Sequence, residues 1–335
     1  MGVRGNTFPR SFLPAVLHRR PRAMNPAPSI VLFTTASGAG YGMLFWLGLL
    51  RPLGLLPQGV AFALIALGLA VFLITIGLLS SMAHLGHPER AWRALSQWRS
   101  SWLSREGVAA VATFLPILFL GLGLILGWGA LTHLFGLLAA AGAVATVYCT
   151  GMIYASLKPI RQWRHPLVVP GYLMLSSFSG ATILAMTAAY WGQAWAPALL
   201  AALGAAGAFW LKQSYWRDID GPAPADAPTI ESATGLGAIG RTRPLEPPHT
   251  ETNYLLREMG FRIARKHAQR LRRVALLGGF AVPLALAILA LLAGGTLWPV
   301  VLLSLATSCA LLGLLAERWL MFAEATHTVA LYYRG

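Results

Sequence analysis

The sequence predicts an all-α integral membrane protein with eight transmembrane helices, arranged as two four-helix bundles. Three observations point there. The 335 residues are 56% hydrophobic and only 11% charged, with a mean hydropathy of +0.62, whereas soluble domains carry about 25% charge. Eight runs reach the roughly 20 apolar residues that a bilayer crossing needs. Of the 26 lysines and arginines, Arg51 alone falls on one side of the resulting layout. The formal net charge is +15. Basic nucleic-acid-binding folds do not carry apolar runs of this length, so the charge marks membrane orientation and not nucleic acid. A soluble enzyme is excluded.

Residues 1–29 form a basic N-terminal tail without an apolar run of signal-peptide length. Met24 opens Met-Asn-Pro-Ala-Pro and reads as the translation start, so that residues 1–23 are not translated. The rival reading is a disordered basic tail on the membrane surface. Residues 30–211 hold spans one to six: Ile30–Leu50, Gln58–Ala83, Gly107–Gly127, Leu131–Ser156, Leu167–Trp191 and Trp195–Leu211, the last being the shortest. Connections on the Arg51 side are a few residues long, so neighbouring helices are antiparallel. Residues 212–273 are a long hydrophilic loop. Its Gly221–Pro228 stretch is Pro/Ala-rich and extended or disordered, and Tyr254–Arg273 reads as a basic helix running into span seven. Its mixed charges suit protein docking, or equally a solvated loop near anionic lipid. Residues 274–335 hold spans seven and eight, Val274–Gly294 and Trp298–Phe322, and the C-terminus. The positive-inside rule puts both termini and the long loop in the cytoplasm of a bacterial inner membrane.

Some chemistry is absent from the pattern. Cys149 and Cys309 form no CxxC pair, so the chain holds no iron–sulfur cluster by itself. No histidine lies mid-span to ligate a haem. Every Asp and Glu lies at the cytoplasmic side or close to it, which argues against a transmembrane proton relay or cation transporter.

The densest polar cluster is His84-Leu85-Gly86-His87-Pro88-Glu89-Arg90, continuing through Trp98-Arg99 and Trp102 to Arg105-Glu106-Gly107. It joins spans two and three. Trp92, Trp98 and Trp102 suit a helix lying in the interface. A histidine near neutral pKa beside an interfacial carboxylate can serve the proton-coupled redox chemistry of a quinone. The alternative is an interfacial loop whose polar groups merely snorkel. A second cluster, Glu317–His327, places Glu317, Met321, Glu324 and His327 on one helical face. These residues could line a headgroup cavity, or Glu317 and Arg318 could pair with neighbouring helices. The small residues Ala36–Gly42 offer close helix packing, or a flat slot for a ring. Tyr154 could hydrogen-bond a ligand or join an aromatic belt.

The stretch His84–Gly107, the pattern Met152–Lys158 and the segment Glu317–Glu324 resemble the membrane anchor subunit of dimethyl sulfoxide reductase. The resemblance covers nearly all of the chain from Met24, and His84 to Glu106 is its most specific part. It implies an anchor subunit without metal of its own, exchanging electrons with menaquinone or ubiquinone. A molybdopterin catalytic subunit and an iron–sulfur electron-transfer subunit would be its partners. It implies quinol binding at His84 and Glu106. His87 and Arg105 are added by proximity, and Tyr154 and Glu317 complete the candidate set. The loop segments Ser232–Gly240 and Pro244–Glu251 look like the anchor of cytoplasmic sulfite-oxidising relatives, in which electrons run from sulfite to quinone. A transporter or channel is the alternative of a different class, and the nearly apolar outer half offers it no polar path. A purely structural anchor is the third.

Overall fold

The computed structural model describes residues 27–83, 87–222, 229–243, 245 and 262–329. Among them, eight helices are long and apolar enough to cross a membrane. They are α1 (Pro28–Leu50), α2 (Val60–Met82), α3 (Trp102–Leu126), α4 (Ala130–Ala155), α5 (Val168–Ala189), α6 (Trp195–Asp220), α7 (His267–Leu292) and α8 (Leu297–Ala323). The described residues contain no sheet, only one antiparallel bridge, Ile160 to His327.

Three helices depart from the apolar runs, α7 among them because it starts at His267 and not at Val274. α3 begins at Trp102, ahead of the expected Gly107, because Ser101 is extended and its side chain accepts from the Ser104 N–H as an N-cap. Glu106 therefore lies inside the second turn of a helix and not at its mouth. Gly127 closes α3 in the left-handed region, φ 69°. α6 runs on past Leu211 to Asp220, since the buried Lys212 finds a carboxylate partner and no longer marks the end of the span. α7 contains a π-helical stretch, Val274–Ala281. Pro283 has no N–H to bond the carbonyl four residues back, and a wider turn just before it absorbs that loss.

The packing follows two rings. α1, α2, α3 and α4 pack around one another in sequence order, and α5, α6, α7 and α8 do the same. α1 and α5 join the rings and are the most enclosed helices. With no hydrophobic drive between helices in lipid, close backbone approach supplies the packing. A Cβ on Gly180 would collide with the Gly42 backbone, and one on Gly48 with Gly136. Gly279 and Gly313 make the same approach between α7 and α8. The Trp46 indole donates to the Ser177 carbonyl at 3.0 Å, and the Ser176 hydroxyl to Gly38 at 2.6 Å. The small residues of span one are thus packing residues: Gly40 lies against Ala70 and Ile74 of α2, Gly42 against α5.

The N-termini of odd-numbered and the C-termini of even-numbered helices share one end, here the basic end. A 3-10 stretch, Pro88–Gln97, lies there between α2 and α3 and packs on α3.

Candidate functional site

At the basic end of the first ring, α1, α2, α3, α4 and the 3-10 stretch enclose a cavity of about 520 Å³. That is within the range of small-molecule sites. Its walls are mostly apolar, from Phe33, Leu78, Met82, Leu103 and Ile153. The polar groups facing it are few: Ser81, His87, Arg90, Glu106 and Tyr154.

Glu106 is buried, 5% exposed, and the Thr150 hydroxyl of α4 is hydrogen-bonded to its carboxyl. Thr150 also reaches the Thr146 carbonyl at 3.0 Å. One hydroxyl hydrogen cannot serve both acceptors at once. With Glu106 ionised, Thr150 donates to the carboxylate. With Glu106 protonated, the acid can donate to Thr150 and Thr150 to Thr146. The carboxyl keeps a partner in either state. Thr146 in turn lies 3.5 Å from Thr113 of α3.

Tyr154 stands two turns from Thr146 on the same face of α4. Its ring stacks on Tyr172 of α5 (centroids 5.7 Å apart) and meets the edges of Trp163 and Phe322. These contacts fix it as a rigid wall. His87 precedes the 3-10 stretch at the cavity mouth. It is exposed, with Nδ1 3.0 Å from the Glu89 carboxylate. Leu95 covers Gly107 so closely that a Cβ there would lie 2.9 Å from its terminal methyl. Small size at 107 lets the 3-10 stretch roof the cavity.

The other expected site residues lie elsewhere. His84 is outside the described residues. Arg105 does not line the cavity: Nε donates to the Trp98 carbonyl (2.9 Å), a terminal nitrogen to Arg99 (2.7 Å), and the guanidinium lies over Trp102 at 4.2 Å. It fastens the end of the 3-10 stretch to α3. Glu317 belongs to a separate buried cluster on α8, 2.6 Å from the Lys212 ammonium and 3.6 Å from Arg318. Glu317 thus pairs with a neighbouring helix, as one of the two readings of that segment has it, whereas the ion pair of Arg318 is with Glu317 on its own helix. His327 leaves the helical face expected for it, because α8 ends at Ala323, and it bridges to Ile160 instead. Glu324 instead bonds Arg272 of α7 at 2.8 Å, and Arg272 also holds Asp220 of α6 at 2.5 Å.

Sequence reading does not single out Thr150, Thr146, Tyr172 or Lys212. The four-residue spacing of Thr146, Thr150 and Tyr154 is the available signal for a polar stripe on α4. Among the described residues, no three His, Cys, Asp or Glu side chains gather as a metal site.

The family model described as DMSO reductase anchor subunit (DmsC) matches residues 24–246. A sulfite dehydrogenase subunit from Allochromatium vinosum is 31% identical over 336 residues, spanning 93% of this chain and 99% of that one.

Proposed function

The chain belongs to the family of DMSO reductase anchor subunits, and from that premise we propose that it is the quinone-reactive membrane anchor of a molybdopterin oxidoreductase. The observation that carries this reading is the cavity with Glu106 buried in its wall and held by Thr150. Volume and apolar lining suit a quinone ring. A quinone supplies two-electron, two-proton chemistry, and the electrons pass to or from an iron–sulfur subunit docked at the basic end.

The chain's residues handle the protons. Glu106 holds a proton at its carboxyl, and Thr150 satisfies that carboxyl in both charge states. His87, at the mouth beside Glu89, is placed to exchange a proton with solvent. Tyr154 and the apolar walls orient the ring and exclude water. His84 stands three residues before His87, and the family resemblance makes it a further ligand to a quinone oxygen. The charge distribution supports a cytoplasmic basic end in an inner membrane.

Binding of a fluorescent quinol-site inhibitor to membranes containing the complex tests the site. Glu106→Gln should abolish binding while the partner subunits stay attached. Unchanged binding would remove Glu106 from the site.

A narrower reading concerns the assembly. The relative's name and its coverage of nearly the whole chain favour a sulfite-oxidising complex that delivers electrons to quinone. Purification through a tag on this chain should bring along a molybdenum-containing polypeptide that oxidises sulfite. Recovery of a complex inactive with sulfite would overturn it.

A further inference from the structure

Behind the cavity wall a polar seam runs between the two helix rings. Its first gap is lined by Thr35, Tyr41, Thr150, Ser176, Tyr172 and Arg318, drawn from α1, α4, α5 and α8. The gap has about 10 Å³ of free space, the room of one water. Three buried polar atoms on its lining residues, Thr35 Oγ1, the Tyr41 hydroxyl oxygen and Arg318 Nε, have no hydrogen-bond partner among the described residues. Thr35 and Arg318 are 6% and 3% exposed. Polar atoms this deep are rarely left unpaired, and a water-sized polar gap is where internal water fulfils them.

A second gap of the same size adjoins the first, sharing Tyr172 and Arg318, and is lined further by Lys212, Tyr215 and Glu317. Beyond it the edge of Tyr215 meets His165, centroids 5.2 Å apart. His165 Nε2 lies 3.7 Å from the exposed carboxylate of Asp218. Polar groups thus run from Thr150 through both gaps to Tyr215, whose hydroxyl donates to the Gln162 carbonyl (2.9 Å) in the loop at the basic end, beside the His165 ring.

We propose that the two gaps hold water and that, with Thr150 and the Lys212–Glu317 pair, they form the route by which Glu106 exchanges protons with solvent at the basic end. The inference rests on the reading of Glu106 given above. A ring seated in the cavity closes the front of the carboxyl, while Thr150 stands behind it, facing the seam. When one hydroquinone hydroxyl gives its proton to Glu106, that proton leaves through Thr150, whose hydroxyl turns from the Thr146 carbonyl to the first water, and Glu317 and Lys212 pass it on. The second hydroxyl loses its proton at the cavity mouth, where His87 meets solvent, and the two electrons go to the partner subunit's carrier. Quinone reduction reverses each transfer. Arg318 keeps its own proton and is a positioning residue, anchoring water through Nε and lying 3.9 Å over Tyr172.

Thr35 is the position to test, because it touches neither the cavity nor Glu106. Thr35→Val keeps the shape and removes the hydroxyl. In membranes carrying the assembled complex, with decyl-ubiquinol and a redox dye, Thr35→Val should slow turnover about tenfold, a modest share of what proton transfer contributes. It should raise the solvent deuterium isotope effect and leave inhibitor binding unchanged. Thr35→Ser should restore the rate. The double variant Lys212→Met/Glu317→Gln should show the same slowing with binding intact. Wild-type turnover in both Thr35→Val and the double variant overturns the route, as does loss of inhibitor binding in Thr35→Val. Normal binding and turnover in Glu106→Gln would instead overturn the cavity reading, and the route with it.

Discussion

Lys212 on α6 and Glu317 on α8 meet at 2.6 Å, with side chains only 7% and 1% exposed. An ion pair this deep repays its desolvation only while both partners are present. Cation–π contacts to Tyr215 (4.1 Å) and Trp216 (4.9 Å) hold the ammonium from the other side. Removing one partner strands the other charge. Glu317→Ala should lower stability by about 3–5 kcal/mol, and Lys212→Met/Glu317→Leu should recover only the part due to Lys212, because buried Arg318 also loses its carboxylate. Thermal inactivation of the detergent-solubilised complex measures both, and a single variant as stable as the double would refute the pairing.

The joint between the rings depends on glycine. Gly180→Ala drives a methyl into the Gly42 backbone, where no flexible side chain can yield. A cost of about 1–3 kcal/mol is expected, typical of overpacking. Gly68→Ala, on the exposed face of α2, meets nothing within 4 Å and should not lower stability. Equal melting temperatures for the two variants would show that the crossing is not tight.

His165 makes stability depend on pH. Burial pulls its pKa below the ordinary value near 6.5, against the pull of Asp218. The unfolded chain therefore binds a proton at a pH where the folded chain does not. The contribution is full above about pH 6.5 and is lost as pH falls through that value toward the folded pKa. His165→Asn removes the dependence along with the ring contact to Tyr215. Its deficit in melting temperature should be larger at pH 8 than at pH 5, and a constant deficit would contradict the assignment.

Apolar run length and lysine–arginine placement suffice to read the eight spans, because a bilayer imposes both on any crossing chain. Glu106 is legible too, as a carboxylate at the start of an apolar run. Thr150 is not, since a threonine within a span looks like one that merely bonds its own helix. Its Oγ1 does make that bond, and only the docking of α3 on α4 brings Glu106 to it. Lys212 reads as the end of span six for a similar reason: its partner is 105 positions away and invisible to any local window. Arg105 shows the opposite failure. Adjacency to Glu106 suggests a shared site, but a helix turns successive residues about 100° apart, sending the guanidinium to Trp102 while the carboxyl faces inward.

The α1–α5 crossing also bears on biosynthesis. Ser176 bonds the Gly38 carbonyl across 138 residues of chain. At about 5–20 residues per second, α1 leaves the ribosome on the order of ten seconds before the helix that fits its glycine face. During that interval α2 can occupy the Gly40 side of α1, while the Gly42 side must be lined by lipid or by the insertion machinery. The first ring can close early, and the second is recruited onto a surface already waiting for it.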